Sequence, residues 1–158
     1  MIFYSEVKEI RGERDQVNIT QLVIDEVKKS EVWEGEVKIC PLHTTVGIII
    51  TKQEDEPGLI NDIKRIFNLL CPKGVYFEHD DFEKRTVNMT DNERKNAPAH
   101  LMATFFSKTF EVVPIKNGEL VLGHWQSILF FDFDPKGREA RNIIIQIIGK
   151  KKRNHKKS

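Results

Sequence analysis

Phe110-Glu111-Val112-Val113-Pro114-Ile115-Lys116-Asn117-Gly118-Glu119-Leu120-Val121-Leu122 decides the fold. Two apolar, β-branched runs flank an Asn-Gly pair. Both residues of that pair tolerate positive φ, the requirement of the tight turn that joins antiparallel strands. The rest of the C-terminal third continues the theme. Strands are predicted over Phe110–Ile115, Leu120–Phe133 and Asn142–Ile148, with a second turn at Pro135-Lys136-Gly137.

Upstream, Phe3–Ile10 alternates loosely and reads as a first strand. Asn18 or Thr20 caps a helix running to about Lys29, with Ile19, Leu22, Val23 and Val27 on one face. Strands are expected over Glu36–His43 and Val46–Thr51. Pro57-Gly58 opens a helix whose apolar residues Leu59, Ile60, Ile63, Ile66, Phe67 and Leu70 follow helical spacing, and Cys71-Pro72-Lys73-Gly74 stops it. Val75–His79 reads as a short strand. A polar loop, Asp80 to Lys95, follows; loops of that length without structure of their own are usually functional. Asn96 and Pro98 start a third helix carrying Leu101, Met102, Phe105 and Phe106. Strands and helices do not alternate regularly, which argues against a doubly wound parallel sheet. The pattern is that of a single α+β domain with a largely antiparallel sheet and about three helices.

At 158 residues the chain suffices for one domain with a substantial core. It has no run of about 18 apolar residues, so no membrane helix is expected. Its N-terminus does not read as a signal peptide. Two cysteines, Cys40 and Cys71, are too few for a disulfide scaffold, and a reduced cytoplasmic setting follows by default. The net charge of +1 is unevenly spread. Six of the 25 basic residues follow Gly149 with no acid among them. The other 19 face 24 acidic residues, a net −5 over residues 1–149. Residues 1–149 are therefore read as the domain and 150–158 as a basic, disordered tail. Such a tail suits weak, nonspecific nucleic-acid contact. It has no aromatic side chain for base stacking, as a dedicated single-strand binder would need.

The residues suited to chemistry are histidines at element ends. Cys40-Pro41-Leu42-His43-Thr44-Thr45-Val46-Gly47 places an imidazole and two hydroxyls between two buried strands. An unpaired buried polar group costs about 1–3 kcal/mol, so this stretch is either a hydrogen-bond knot or the floor of a site. By strand parity His43 shares a face with Val37 and Ile39 unless Pro41 introduces a bulge, and His79 shares one with Val75 and Phe77. His100 lies in the first turn of its helix, where the dipole disfavours imidazolium. Neutral imidazole is the ligand form for metals, and three histidines with an open position would suit a divalent ion such as zinc. Taken alone, each is better read as a satisfied structural residue.

Glu78-His79-Asp80-Asp81-Phe82-Glu83 adds carboxylates that suit Mg²⁺ held through a diphosphate, or form a solvated acidic loop. Arg85, Arg94 and Lys95 could take phosphate oxygens. In Leu122-Gly123-His124-Trp125-Gln126-Ser127, read as a strand, Trp125 and Gln126 face opposite ways. They offer a stacking surface and an amide, or a buried indole and a polar knot. A Walker A loop, a Gly-x-Gly-x-x-Gly turn after a strand and a Gly-x-Ser-x-Gly elbow are all missing. Strand alternation points Cys40 away from His43, against a cysteine nucleophile.

Pro41-Leu42-His43-Thr44-Thr45-Val46-Gly47 resembles the His-Thr-Thr-x-Gly signature of the YjbQ family, also called the secondary thiamine-phosphate synthase family. Glu54-Asp55-Glu56-Pro57-Gly58-Leu59, Tyr76-Phe77-Glu78-His79-Asp80-Asp81, Asn96-Ala97-Pro98-Ala99-His100 and Leu122-Gly123-His124-Trp125-Gln126 resemble its later blocks, in order, from about Ser5 to Gly149. The resemblance implies an antiparallel sheet curled as a half-barrel, a homotrimer, and a histidine-rich pocket near the subunit contacts. It implies catalytic and metal-binding roles for His43, His79 and His100, and substrate contacts from Thr44, Thr45, Asp80, Asn96, Trp125 and Gln126. The implied reaction joins hydroxymethylpyrimidine diphosphate to a thiazole phosphate and releases diphosphate, as a main or side activity. Its implied cofactor is a divalent ion, Zn²⁺ or Mg²⁺. A metal-dependent hydrolase and a non-catalytic metabolite-binding module stand as alternatives. The chain departs from the family at His124, where a small residue is usual, and at Phe105-Phe106-Ser107-Lys108-Thr109, which replaces a Gly-containing turn. Its Lys-rich tail is extra.

Overall fold

The computed structural model describes residues 1–11, 16–54, 58–107, 110–134 and 140–152. Among the described residues eight strands form two antiparallel sheets. The five-stranded sheet runs β1 (Ile2–Arg11), β8 (Ala140–Lys150), β3 (Glu34–Pro41), β5 (Glu111–Lys116), β6 (Glu119–Leu120). The three-stranded sheet runs β2 (Gln16–Asn18), β7 (Gln126–Asp132), β4 (Val46–Lys52). Helices are α1 (Thr20–Ser30), α2 (Leu59–Leu70) and α3 (Ala97–Phe106). The expected α+β domain with a curled, largely antiparallel sheet is what forms.

Two cores explain the sequence pattern. Between the sheets lie Val37 and Ile39 of β3, Ile143, Ile145 and Ile147 of β8, Ile48 of β4, Ile128 and Phe130 of β7, and Val23 and Val27 of α1. The other face of the small sheet presents Leu129, Phe131 and Ile49 to Ile60 and Phe67 of α2 and to Met102 and Phe106 of α3. β4 and β7 are thus covered on both faces, which is why they read as unbroken apolar runs and not as alternating strands. The N-cap of α1 is Ile19 and not Asn18 or Thr20, and it makes no side-chain cap bond; Asn18, one residue earlier, accepts the Thr20 N–H at 2.9 Å. Thr20 Oγ1 in turn accepts the Ile128 N–H at 2.8 Å, tying the helix to β7.

The Asn-Gly hairpin forms as expected, with φ of 56° at Asn117 and 78° at Gly118. The strand predicted over Leu120–Phe133 does not run through. β6 stops at Leu120, and the chain crosses to the second sheet before β7 begins. Gln126 makes the crossing: its N–H donates to the Gly123 carbonyl at 2.9 Å, and its Oε1 accepts the Gly123 N–H at 2.7 Å. Val75–His79 is not a strand either. Residues 75–77 are irregular and Glu78–Asp80 is a single 3-10 turn. Val75 and Tyr76 are exposed, and the chain must turn here for Asp80 to reach the start of α3. The loop 81–95 has no regular element but is pinned. Arg85 lies 2.5 Å from Glu93, whose carboxylate also accepts the Thr90 N–H and hydroxyl.

β8 extends through Lys150. Lys151 pairs with Glu31, and Lys152 lies 4.5 Å over the Trp33 ring, so the start of the basic segment is docked on the domain. Residues 153–158 lie outside the described residues, as do Asp55, Glu56 and Pro57 of the acidic segment, Lys108 and Thr109, and the Pro135-Lys136-Gly137 turn.

Candidate functional site

β3 ends at Pro41, two residues earlier than expected, so His43 sits in the turn before β4 and strand parity does not place it. The turn is anchored at both ends. Leu42 N–H donates to the Asn142 carbonyl and the Thr45 carbonyl accepts the Phe133 N–H, each at 2.9 Å. Thr45 is fully buried, Thr44 exposed and His43 half-buried. Thr45 meets His43 Nδ1 with its N–H at 3.2 Å and its hydroxyl at 2.9 Å. A backbone N–H can only donate, so Nδ1 is an acceptor and the ring proton of neutral His43 resides on Nε2.

Gly47 brings α3 to this turn. A Cβ at position 47 would lie 2.7 Å from Ser107 Cβ and 3.1 Å from Phe133 Cε2. Ser107, at the end of α3, accepts the Ile48 N–H on its hydroxyl at 3.3 Å. With α3 seated on β4, a cleft of about 390 Å³ opens between them, lined by Pro41, His43, Thr44, Val46, Ala103, Thr104 and Ser107. Among the described residues its polar lining is an imidazole and three hydroxyls, with no carboxylate.

His100 lies one turn back on α3. Burial pushes its pKa below the ordinary histidine range, and the neighbouring His79 pushes the same way; the Thr44 backbone carbonyl, bonded to the ring, opposes them. A neutral ring follows. The His79 and His100 rings face each other with centroids 4.7 Å apart and planes at 59°. His79 Nε2 lies 3.3 Å from Asn96 Oδ1, and Asn96 Nδ2 donates to Asp134 Oδ2 at 3.0 Å. Asp134 is buried, and its other oxygen accepts from Arg94 at 2.8 Å. Buried Arg141 donates to the Asp134 backbone carbonyl at 2.8 Å, and its Nε lies 3.0 Å from Asp132.

Of the residues picked out from sequence, His43, Thr44, Thr45, His79, Asn96 and His100 gather around the start of β4 and α3. Asp80 is beside them as a helix cap, its Oδ1 accepting the Ala97 N–H at 2.9 Å. Trp125 and Gln126 are elsewhere. Gln126 pairs with Lys52 while Asp132 pairs with Val46, so they occupy the far end of the same sheet, about 20 Å along the strand. Trp125 is 68% exposed, against His124 at 4.6 Å. It is neither a buried indole nor, within this chain, a neighbour of His43, His79 or His100. Among the described residues no group of three or more His, Cys, Asp or Glu side chains is placed to hold a metal ion. His43 has turned its Nδ1 to Thr45, and coordination through Nε2 would set an Nδ1–H against the Thr45 N–H. The donor set of one chain thus does not fit a three-histidine metal centre. Sequence reading missed Asp134 and Ser107. Asp132-x-Asp134 closing a buried apolar strand was the signal for the former.

The class is that of a two-sheet α+β domain with histidines and hydroxyls gathered where β4 and α3 begin. The profile described as UPF0047 protein YjbQ-like matches residues 5–150, and the chain belongs to that family. A UPF0047 protein of Archaeoglobus fulgidus is 35% identical over 127 residues, covering 80% of this chain and 88% of that protein. One from Methanocaldococcus jannaschii is 31% identical over 151 residues, covering 96% of each. Among solved structures, a YbjQ-like protein of unknown function from Sulfolobus solfataricus superposes with a TM-score of 0.77 at 28% identity, covering 94% of this chain and 98% of that one.

Proposed function

We propose that the protein is a transferase acting on small phosphorylated heterocycles, of the secondary thiamine-phosphate synthase kind. The supporting observation is the cleft of imidazole and hydroxyls, without a carboxylate among the described residues that line it, beside the His79–His100 pair. In that reaction the thiazole nitrogen attacks the pyrimidine methylene carbon, a C–N bond forms, the C–O bond to diphosphate breaks, and diphosphate leaves. The cost is concentrated in the departing polyanion. Preorganised donors aimed at developing negative charge are the largest catalytic contribution such a site can make. His43 Nε2–H and the hydroxyls of Thr44 and Ser107 are donors of that kind, whereas the Thr104 hydroxyl donates to the His100 carbonyl at 2.8 Å; a carboxylate among them would repel the leaving group. Burial of His100 favours its neutral ring, the form that can accept a proton.

Purified protein given hydroxymethylpyrimidine diphosphate and thiazole phosphate should release thiamine phosphate and diphosphate. His43→Ala should abolish both. Equal turnover by the mutant, or none by the native protein, defeats the synthase reading. Stabilisation by diphosphate without any turnover would favour the metabolite-binding module.

The homotrimer implied by the family resemblance belongs to the same reading. It is supported by apolar side chains left uncovered on α2 and just beyond it: Ile66 at 48% exposure, Leu69 at 69%, Leu70 at 59% and Val75 at 51%. A second copy of this chain is the partner that surface is read to meet.

A further inference from the structure

We propose that Asp134 is a positioning residue that decides which ring nitrogen of His79 keeps its lone pair. The inference rests on His79 belonging to the functional site, and it adds how that histidine is set for use.

A carboxylate can only accept hydrogen bonds, so the Asn96 group facing Asp134 Oδ2 at 3.0 Å must be the NH₂. That places the Asn96 carbonyl oxygen toward His79 Nε2 at 3.3 Å, and Nε2 must then be the protonated nitrogen. Neutral His79 is left with its lone pair on Nδ1. The amide acts as a rigid inverter: whatever Asp134 presents, His79 receives the opposite. Asp134 is well placed to hold the chain in one sense, because it is fixed on four sides. Its Oδ1 takes Arg94 at 2.8 Å, its Oδ2 takes Asn96, its backbone carbonyl takes Arg141 at 2.8 Å, and its N–H donates to Asp132 Oδ1 at 3.0 Å. It is 7% exposed, so solvent has little access to its side chain.

The isosteric change Asp134→Asn reverses the logic. Its amide oxygen goes to the Arg94 guanidinium, because a charge-assisted bond is roughly twice as strong as a neutral one. Its NH₂ then faces Asn96, which must turn its own carbonyl to meet it. Asn96 presents NH₂ to His79 Nε2, which becomes the acceptor, and the proton moves to Nδ1. The double change Asp134→Asn with Asn96→Asp restores the original sense: the carboxylate now at position 96 accepts both from the amide at position 134 and from His79 Nε2–H.

The test is the tautomer of His79, read from ¹⁵N-imidazole NMR of the full chain at a pH where the ring is neutral, with His79→Gln identifying its signals. The native protein should show Nε2–H, Asp134→Asn should show Nδ1–H, and the double variant should return to Nε2–H. Native His79 in the Nδ1–H form overturns the proposal even if no variant folds. So does a folded Asp134→Asn protein that keeps the native tautomer. A merely structural role for Asp134 predicts no inversion and no rescue. The readout involves no substrate, so failure of the synthase assay and failure of this proposal are separate results.

Discussion

A methyl group at position 47 would have to enter the space held by Ser107 Cβ, 2.7 Å from where it would lie. Gly47 is therefore the residue that lets α3 carry His100 down to the Thr44 carbonyl. Gly47→Ala should cost about 1–3 kcal/mol in urea unfolding, the usual range for overpacking. It should also weaken diphosphate binding, because the cleft wall moves with α3. A variant as stable and as tight-binding as the native protein would show that α3 is not seated by that contact. At this scale much of the site was legible. His43, His79 and His100 stand at element ends, and polar residues flanking apolar runs carry that signal in the bare sequence. What could not be read was their orientation. His43 left the strand after Pro41, and its Nδ1 was claimed by a residue two positions on. Asp134 is 38 residues from Asn96, and no local pattern connects them.

At the scale of elements, α1 is held to the large sheet by a buried charge as well as by Val23 and Val27. Glu26, 1% exposed, accepts from Tyr4 at 2.5 Å and Lys29 at 2.7 Å, with Lys8 at 3.1 Å. Burial alone would raise its pKa, but the bonds from Lys29, Tyr4 and Lys8 outweigh that and bring it down to about 2. The bond to Glu26 and burial push Tyr4 up to about 12. The signs give a two-sided profile. Glu26 contributes fully above the ordinary carboxylate range, and that contribution fades as pH falls from about 4.5 toward 2. The folded state keeps the Tyr4 proton that the unfolded chain gives up near 10, so stability also falls as pH rises from 10 toward 12. Glu26→Gln should lower stability at pH 7 by about 1.5–3 kcal/mol, the worth of hydrogen bonds to a charged group, and flatten the acid limb. Urea midpoints from pH 3 to 7 would check it, and an unchanged slope in the mutant would assign the acid sensitivity elsewhere. Element type followed from periodicity wherever a run was long and uninterrupted, as in α1, α2, β4 and β8. The failures at Leu120–Phe133 and Val75–His79 share a cause. Each apolar stretch was broken by a side chain bonding its neighbouring backbone, at Gln126, or reaching across to another element, at Asp80, which hydrophobic patterning does not register.

For the whole molecule, the α2 surface sets the main expectation. Light scattering on the eluting protein should give three times the 18.4 kDa chain mass, and Leu69→Glu with Leu70→Glu should shift it to monomer. A native monomer would rule out the trimer. The family resemblance implied that assembly; the sequence alone marked Ile66 and Leu70 only as helical and apolar, and which side chains a single chain leaves uncovered is a matter of packing.

The middle position of β7 has a further result. Ile128 and Phe130 belong to one core and Leu129 and Phe131 to the other, so this strand is a party wall between them. Neither core can open without removing one side of β7 from its neighbours, and the two must therefore melt as one cooperative unit. Amide hydrogens of Ile128 to Phe131 should exchange with solvent slowest of all, at the rate of global unfolding. The turn that carries His43 leads directly into β4, the partner of that strand.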